Sequence, residues 1–589
     1  MKKLILSVLF LSIYCCFISV SLHSQPLNTN RCIPDVMNKI NVSDYSTNIN
    51  RTLFLHPDSI SVFPNFPVLI SGNTFEGGIF CNMDDDPELE IVFNIGYTVQ
   101  ALNLDGTSVP GWPKTVSSYA LEGAPAFGDI DGDGYGEIVV TNHGLTSGGY
   151  IYAYKRNGTL LTGFPINHGY STRTPVLGDI NSDGKLDIIV NKRTYPTGSV
   201  YVYKYDGTIL PGWPKQMGHV PASSAAVGDI NGDNIPEIVM ESYDALYAWT
   251  ANGDSIPGFP FYMTNGDNNS YSSPVLADVD NDNLREIVFG THSSAGGFVY
   301  VIKNNGTVLT GWPKSTSNWV YGPPSVGYID NDNILDIAVG DQVLSGVPSD
   351  FVYAWNKNGV PLTGFPIGPV NAVNAQIVLA DIDGDNSTEL IFDDNSQTAG
   401  IGKFLVYNHD GTFNRNIETN GTSFFTTPCI TDINRNGILD IVGAGVTGTS
   451  PSQQTNVYLW NSGVPYVPSK VQTPMWQYNS RHNGVYGNGD IVSVSENNTE
   501  NPGEYNLEQN YPNPFNPATK IVYRISKPGF VKISLYNVLG KEILNLVNGQ
   551  RQTGAYEYTL NAESLNTGIY YYKMDIDGYT STKKMLLLK

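Results

Sequence analysis

Short strand-like segments dominate most of the chain, because apolar and polar positions alternate with a period of two. In one representative stretch, four segments read as successive strands: APAFGDI (124–130), EIVVTN (137–142), YIYAYK (150–155) and TLLTGFP (159–165). Asn157-Gly158 predicts a tight hairpin turn between the last two. No long amphipathic helix pattern occurs before residue 500. The pattern therefore predicts an all-β protein.

This strand pattern repeats eight times, with a period of about 50 residues. A nine-residue acidic stretch, here called the acidic loop, begins at residues 82, 129, 179, 229, 278, 328, 381 and 432, and defines units 1 to 8. A second motif runs in antiphase, as in GTLLTGFPI (158–166) and GTILPGWPK (207–215). Four short antiparallel strands per unit predict the blades of a β-propeller. Eight blades are favoured, and seven blades with an irregular first unit are the alternative.

Closure of such a ring depends on the last unit, which ends at NVYLW (456–460) without its own fourth strand. Either SVFPNFPV (61–68) or PMWQY (474–478) could complete that blade. One aromatic residue recurs at the same place in each antiphase motif, and this recurrence predicts packing between blades. These residues are Trp112, Phe164, Trp213, Phe259, Trp312 and Phe365.

The acidic loop carries oxygen side chains at positions 1, 3, 5 and 9 in nearly every unit, as in DIDGDGYGE of unit 2. Such a loop can wrap one hard cation, and calcium takes six to eight oxygen ligands in irregular geometry. A helix–loop–helix calcium site is excluded, because its closing carboxylate stands at position 12 and helices flank it. Position 6 is Gly or Asn in units 2 to 8, which favours a positive φ there, whereas unit 1 has Pro87.

The sequence thus predicts up to about eight calcium ions. The predicted ligands are Asp84, Asp86, Glu90, Asp129, Asp131, Asp133, Glu137, Asp179, Asn181, Asp183, Asp187, Asp229, Asn231, Asp233, Glu237, Asp278, Asp280, Asp282, Glu286, Asp330, Asp332, Asp336, Asp381, Asp383, Asp385, Glu389, Asp432, Asn434, Asn436 and Asp440. Eight Ca²⁺ would move the formal net charge from −22 to −6, and without metal these carboxylates would repel one another. Acidic β-turns without an ion are the alternative. A catalytic carboxylate pair is disfavoured, because catalysis needs one site and this loop recurs eight times.

The N-terminus has the pattern of a targeting signal. Lys2 and Lys3 precede an apolar run that ends near residue 20, so residues 1–24 are predicted to be a secretory signal peptide, followed by an N-terminal segment at 25–60. No other stretch is apolar enough to span a membrane.

Three cysteines would remain after cleavage, an odd number that leaves at least one free thiol. The strongly acidic body argues against a nucleic-acid partner.

Over roughly residues 60–485, the acidic loops resemble the FG-GAP/VCBS repeats of integrin-like propellers. This resemblance implies a calcium-binding propeller, assigned to 61–484, with ions between the first and second strands of each blade. Unit 8 departs from the family pattern through Asn434 and Asn436, which implies weaker binding there.

The end of the sequence resembles a second family. NLEQNYPNPFNPATKIVYRI (506–525), VKISLYNVLGKEI (531–543), LNTGIYYYKM (565–574) and STKKMLLLK (581–589) are similar to the type A C-terminal sorting domain of the type IX secretion system. The resemblance implies a small β-sandwich at 505–589, after a linker at 485–504, that is recognised by the type IX secretion machinery. It also implies an extracellular protein, either secreted or attached to the outer-membrane surface. An ordinary carbohydrate-binding or immunoglobulin-like module is the alternative for this segment.

Strand alternation places the second-to-third loops and the links between blades on the face opposite the acidic loops. Side chains vary there from unit to unit, which is typical of a binding surface on a rigid frame. The links bring aromatic residues to this face, among them His168, His219, Tyr271 and Tyr321. The candidate ligand-binding residues are Tyr119, His143, Tyr170, Arg193, Tyr243, His292 and Trp319. Packing between blades is the alternative role for the aromatic residues.

The leading hypothesis is an exported, calcium-stabilised propeller that acts as a binding or adhesion module for an extracellular glycan or protein. A propeller-based polysaccharide lyase or glycoside hydrolase is the alternative, and a structural surface-layer component is a further one. No catalytic constellation is recognised in the sequence, so the protein is predicted not to be an enzyme.

Overall fold

The computed structural model describes residues 60–487 and 505–588 with short gaps. The gaps are 85, 117–118, 143–147, 171–173, 222, 264–267, 270, 331, 333, 344–346, 396–400, 423–425, 450, 508–509, 511–512, 514, 516, 526–528, 538–540, 552–553, 563–564, 566 and 577–578. The predicted signal peptide, the segment up to residue 59 and Cys32 lie outside the described residues. In the described part, no helix is both long and apolar enough to cross a membrane.

The described chain up to residue 487 consists of strands and two short 3₁₀ helices. The strands are β1 (Ser61–Val62), β2 (Val68–Ser71), β3 (Glu76–Cys81), β4 (Glu90–Ile95), β5 (Thr98–Leu102), β6 (Lys114–Thr115), β7 (Ala126–Gly128), β8 (Glu137–Thr141), β9 (Tyr150–Tyr154), β10 (Ile166–Asn167), β11 (Val176–Gly178), β12 (Asp187–Thr194), β13 (Thr197–Tyr203), β14 (Lys215–Met217), β15 (Ala226–Gly228), β16 (Glu237–Glu241), β17 (Ala245–Trp249), β18 (Phe261–Tyr262), β19 (Asn268–Asn269), β20 (Val275–Ala277), β21 (Glu286–His292), β22 (Gly297–Ile302), β23 (Lys314–Thr316), β24 (Trp319–Val320), β25 (Ser325–Gly327), β26 (Asp336–Gln342), β27 (Asp350–Asn356), β28 (Ile367–Val370), β29 (Val378–Ala380), β30 (Glu389–Asp393), β31 (Ile401–Tyr407), β32 (Phe413–Asn420), β33 (Thr426–Thr427), β34 (Cys429–Thr431), β35 (Ile438–Thr447) and β36 (Gln454–Pro465). The helices are Pro468–Lys470 and Trp476–Tyr478. The predicted all-β class is confirmed.

These strands form eight sheets within residues 60–487, one for each unit. Units 2, 3, 4 and 7 have four strands in simple antiparallel order, such as β11-β12-β13-β14 in unit 3, and the other sheets carry one additional short strand. The register follows the predicted alternation, with Ile188 paired to Tyr203 and Val190 to Tyr201 between β12 and β13. The sheet of unit 1 is extended by β33, which pairs in parallel with β3.

The sheet of unit 8 is built from both ends of this region. β34, β35 and β36 come from the last repeat, while β1 and β2 pair antiparallel with β36. Ser61 pairs with Asn461, and Val68 pairs with Val457. Of the two segments proposed to complete this sheet, 61–68 is therefore the one that does so, and 474–478 is not.

Apolar side chains fill the space between neighbouring sheets, including the space between units 8 and 1. One buried cluster contains Ile79 and Phe80 of unit 1 together with Cys429 and Val442 of unit 8. The predicted packing role of the recurring aromatic residue fits its surroundings, because Trp213 of unit 3 is buried and its indole N–H donates to the carbonyl of Ala251 in unit 4 at 3.1 Å. The same bond to the following unit is made by Trp112 and Trp312.

Residues 471–486, here called the central segment, pass along the first strands of most sheets. Four of its carbonyls, at Ser480, Arg481, Asn483 and Gly484, accept backbone N–H groups from units 2, 3, 4 and 5 in turn, at 2.8 to 2.9 Å. Units 6, 7 and 8 are bonded through Tyr478 Oη and the backbone of Gln472 and Pro474. Met475, Trp476, Gln477, Tyr478, His482 and Val485 are all buried. The segment therefore lies where the sheets converge and links seven of them.

Both ends of the central segment lie beside the acidic loop of unit 6. The Gln472 side chain accepts the N–H of Tyr328 at 2.5 Å and donates to its carbonyl at 3.0 Å. The ring of Tyr486 lies 6.4 Å from the ring of Tyr328. Val485 and Tyr486, assigned from the sequence to the linker, thus contact the preceding body.

The C-terminal region contains β37 (Asn506–Leu507), β38 (Ala518–Ile525), β39 (Gly529–Asn537), β40 (Glu542–Arg551), β41 (Gly554–Asn561), β42 (Gly568–Ile576) and β43 (Tyr579–Leu587). They form two sheets in the orders β37-β38-β41 and β40-β39-β42-β43. One apolar core joins the sheets, with Ile521 and Tyr523 from the first and Ile533, Tyr572 and Met585 from the second. This arrangement matches the small two-sheet domain predicted from the sequence.

Candidate metal centres and binding face

Each acidic loop connects the first strand of a sheet to the second and is tied down by its own carboxylates. In unit 2, Asp129 accepts the N–H of Gly134 at 2.9 Å, Asp131 that of Asp133 at 3.1 Å, and Asp133 that of Tyr135 at 3.0 Å. The bonds to Asp131 and Asp133 use Oδ1. Because only one oxygen of each is used in this way, the Oδ2 atoms are not needed to hold the loop backbone.

The predicted left-handed backbone at position 6 is confirmed wherever the loop is described at that position in units 2 to 8. The φ angles are 90° at Gly134, 84° at Gly184, 65° at Asn234, 69° at Asn283, 71° at Asn386 and 83° at Gly437. Asn and Gly are the residues that adopt this conformation at the lowest cost. The N–H of this residue donates to the carboxylate at position 1 in all six loops.

The carboxylate at position 9, here called the closing carboxylate, is buried in every unit. It accepts the backbone N–H of position 2 in all eight units, at distances between 2.5 and 3.3 Å. Burial is the main reason that its pKa is raised, and the neighbouring loop carboxylates add to the effect. The pKa is about 8 at Glu90, Glu137 and Glu389, and about 7 at Asp187, Glu237, Glu286, Asp336 and Asp440. Without a cation, burial and the neighbouring charges favour the protonated form of these groups.

The donor set of the loops fits a hard divalent cation. In four units, carboxylate oxygens from three residues lie within 4.8 Å of one another: Asp84, Asp86 and Glu90; Asp129, Asp131 and Glu137; Asp278, Asp280 and Asp282; and Asp381, Asp383 and Asp385. Oδ1 of Asp336 and Oε1 of Glu389 are buried and have no hydrogen-bond partner. Unit 1 is one of these four units despite its Pro87, because the carboxylates of Asp84, Asp86 and Glu90 still lie close together. Clustered, partly unsatisfied carboxylate oxygens are the ligands that Ca²⁺ and Mg²⁺ use in proteins.

Among the described residues, two lysines form ion pairs with carboxylates of the acidic loops, a feature that the sequence analysis missed. Lys155 Nζ lies 3.0 Å from Asp131 Oδ2 and 2.8 Å from Asp133 Oδ2. Lys303 Nζ lies 2.5 Å from Asp280 Oδ2 and 3.0 Å from Asp282 Oδ2. Both lysines stand just before the hairpin turn of their unit, in YKRNG and IKNNG. The recurrence of lysine before this turn was the signal available in the sequence.

On the opposite face, the structure brings three of the candidate ligand-binding residues together. The ring of Tyr243 lies 5.6 Å from that of His292, and the ring of His292 lies 4.7 Å from that of Trp319. His219 extends this row, because its ring is 5.0 Å from that of Tyr243. The row crosses from unit 4 to unit 6, and Trp319 is 37% exposed. We call these four residues the aromatic row.

Two of the remaining candidates, Arg193 and Tyr170, contact each other. The guanidinium of Arg193 lies over the ring of Tyr170 at 5.6 Å. Tyr119 is half-buried, with its backbone carbonyl near the side chain of Asn142. His143 lies outside the described residues. His168 is buried and its ring nitrogens contact Asn191 O at 2.8 Å and Tyr203 Oη at 3.1 Å, which fits the alternative role of packing between blades.

Three buried carboxyl groups near the second-to-third loops were also missed. Glu241 is fully buried and neither of its carboxyl oxygens has a hydrogen-bond partner, so burial raises its pKa well above the usual value. Asp350 is buried near Asp341, and burial together with the charge of Asp341 raises the pKa of Asp350 to about 7. No pattern in the sequence distinguishes these acids from exposed ones at strand ends.

Two family models match parts of the chain. An FG-GAP-like repeat matches residues 129–190, which span units 2 and 3 up to the second strand of the latter. A secretion system C-terminal sorting domain matches residues 509–588, which cover the two-sheet C-terminal region. No curated protein matches the chain.

Solved structures were also compared with the chain, and three of the matches differ clearly in their TM-scores. The crystal structure of the V. cholerae biofilm matrix protein Bap1 has a TM-score of 0.51 at 14% identity, covering 72% of this chain and 96% of that one. The C-terminal domain of Pseudomonas aeruginosa PilY1 has a TM-score of 0.34 at 12% identity, covering 64% and 93%. The dihydro-heme d1 dehydrogenase NirN has a TM-score of 0.37 at 13% identity, covering 70% and 76%.

At these identities the likeness to Bap1 extends to the fold alone. The family matches are more specific, because they fall on the acidic-loop repeats and on the C-terminal motifs from which both resemblances were drawn. The chain therefore carries an FG-GAP-like repeat and a type IX C-terminal sorting domain, which directs export to the cell surface or the extracellular space.

Proposed function

We propose that this protein is an exported, calcium-stabilised, eight-bladed β-propeller that binds an extracellular partner through the face opposite its acidic loops. The observation that carries this proposal is the contrast between the two faces. The acidic-loop face repeats the same hydrogen bonds in unit after unit, whereas the opposite face gathers the different rings of the aromatic row.

The eight-bladed ring is supported by three features of the sheets. Each unit supplies one sheet, the first strands converge on the central segment, and apolar clusters fill the spaces between neighbouring sheets. The pairing of β1 and β2 with β36 joins the two ends of the region in a single sheet. A blade shared between the chain ends closes such a ring and removes its exposed edges.

Calcium is supported by the loops. In unit 2, Asp129, Asp131, Asp133 and Glu137 would hold the ion, and the equivalent residues would do so in the other units. A bound Ca²⁺ supplies two positive charges to oxygens that otherwise repel one another or remain protonated. Units 1 to 7 offer at least three acidic side chains in the loop, whereas unit 8 offers only Asp432 and Asp440 with two amides. We therefore propose up to eight ions, with the weakest site in unit 8.

A binding role, rather than catalysis, is supported by the centre of the molecule. Sites for small substrates are usually clefts or cavities, but here the central segment lies where the sheets converge and most of its side chains are buried. Tyr and Trp present rigid, amphipathic surface to partners and stack on sugar rings. The aromatic row therefore favours a glycan or an extended polar protein surface. Bap1 is a biofilm matrix protein, and a role outside the cell in adhesion would be analogous.

Binding can be tested by screening the chain, without its predicted signal peptide, on arrays of glycans and extracellular matrix proteins. Trp319→Ala and Tyr243→Ala should each weaken capture at least tenfold, because each removes a ring from the row. Tyr135→Ala is the matched control, since Tyr135 is an exposed aromatic residue on the acidic loop of unit 2. Equal binding by all three variants would exclude the aromatic row as the binding surface.

A further inference from the structure

We infer that Lys155 and Lys303 are built-in counter-cations that compete with calcium, so that the loops of units 2 and 5 fill later than the loop of unit 7. This inference rests on the proposed calcium binding. It concerns how the eight loops differ from one another, which the repeat pattern conceals.

Lysine and calcium compete because both would use the same carboxylate oxygens. In unit 2, the Oδ1 atoms of Asp131 and Asp133 hold the backbone of the loop, and their Oδ2 atoms are bonded to Lys155 Nζ. Lys303 makes the same pair of contacts with Asp280 and Asp282 of unit 5. A calcium ion bound at positions 3 and 5 needs these Oδ2 atoms, so the ammonium group and the ion exclude each other. An incoming ion must therefore displace the lysine.

Unit 3 shows what distinguishes a pairing lysine from an ordinary one. Lys204 stands at the same hairpin position, and its backbone makes the same bonds, to Thr208 O at 2.8 Å and from Gly207 N at 2.9 Å. Position 3 of that loop is Asn181 rather than Asp, and Lys204 makes no ion pair with the described residues of the loop. A lysine before the turn thus enters the loop where both position 3 and position 5 are carboxylates.

Unit 7 provides the opposite contrast, a loop with four carboxylates but no lysine at the hairpin position. Its loop has four carboxylates, Asp381, Asp383, Asp385 and Glu389, like the loops of units 2 and 5. The residue before its hairpin turn region is Asn408, and Asp383 Oδ2 accepts the neutral amide of Asn414 at 2.9 Å. Lys470 Nζ reaches this loop at the backbone carbonyl of Asn386, at 2.7 Å, and forms no ion pair with its carboxylates. Four carboxylates that are not paired with a lysine attract a divalent ion more strongly than four of which two are paired. Unit 7 is therefore expected to bind calcium first.

The lysines can leave without disturbing the sheets. Their side chains are 36% and 29% exposed, so each ammonium group can move into solvent when an ion arrives. When calcium is absent, the same groups neutralise part of the loop charge. Units 2 and 5 should then keep their shape better than unit 7.

The test is a double variant, Lys155→Gln with Lys303→Gln, in the full chain. Lys204→Gln is the matched control, because it removes a lysine from the same hairpin position without breaking an ion pair. Calcium is titrated into metal-free protein by calorimetry, and bound ions are counted by native mass spectrometry. In the wild-type chain we expect at least two ions that bind tenfold or more weakly than the tightest one. In the double variant these two ions should bind at least tenfold more tightly, with no change in the control.

A second measurement separates displacement from a general effect of charge. Without calcium, the double variant should melt at a lower temperature than the wild type, because its loops lose their internal cations. With saturating calcium, the two should melt together. Unchanged calcium affinities in the double variant, or an equal gain in Lys204→Gln, would overturn the competition while leaving calcium binding intact. A wild-type chain that binds no calcium would overturn the proposed function as well.

Discussion

Removal of calcium should make the stability of the protein depend steeply on pH, in the direction opposite to that of most acidic proteins. The eight closing carboxylates have raised pKa values in the metal-free fold, as at Glu137, where the pKa rises from 4.5 to about 8. A carboxyl group whose pKa is raised by folding stabilises the protein fully below its unfolded pKa, and this contribution is lost as the pH rises through the folded pKa. The metal-free protein should therefore lose stability between about pH 4.5 and pH 8.

The size of this loss of stability can be worked out from the pKa shift. One pKa unit corresponds to about 1.4 kcal/mol, so the full shift at Glu137 corresponds to roughly 5 kcal/mol as an upper value. Even a third of that amount at each of eight sites is comparable with the total stability of a typical domain, about 5–15 kcal/mol. Above pH 8 the metal-free chain should therefore be much less stable than at pH 5.5. Bound calcium should remove this pH dependence, because the cation stabilises the ionised form of the carboxylates.

The assay is differential scanning calorimetry of protein stripped of metal by dialysis, at pH 5.5 and pH 8.5. The melting temperature should be at least 10 °C lower at pH 8.5, and 5 mM calcium should abolish most of the difference. Glu137→Gln should reduce the pH dependence, since the amide can still accept the N–H of Ile130 but does not titrate. A metal-free protein that melts higher at pH 8.5 than at pH 5.5 would refute the reasoning about the closing carboxylates.

Three further predictions concern the fold and export. Tyr478→Phe should lower the unfolding free energy by about 1–3 kcal/mol in denaturant titrations, because it leaves the buried N–H of Val326 without its acceptor; an unchanged midpoint would mean that water replaces the hydroxyl. Asn386→Val should cost roughly 1–2 kcal/mol in the same titration, because a β-branched residue tolerates a φ of 71° poorly, whereas Asn386→Gly should be nearly neutral. Deletion of residues 505–589 should leave the protein inside the outer membrane, as judged by fractionation and immunoblotting, and its appearance in the medium would show a second export route.

The sequence predicted features that depend on local spacing, and it failed where distant segments meet. The acidic loops were recognised because position 6 and the closing carboxylate have chemical requirements within nine residues. The face that carries Tyr243, His292 and Trp319 followed from strand alternation alone. Whether 61–68 or 474–478 completed the last sheet could not be decided, because both segments have suitable residues and the choice depends on chain geometry. For a link residue such as His168, the sequence could not decide between exposure and packing, because only its contacts with Asn191 and Tyr203 show that the side chain turns inward.

The central segment also determines how the molecule would transmit mechanical force. It enters and leaves beside Tyr328, on the acidic-loop face, so the chain departs toward the C-terminal region from that side. If the C-terminal region is held at the cell surface, the preceding body is held through the end of this segment. A pull on a captured partner would then load the central segment, whose hydrogen bonds to seven sheets divide the tension among them.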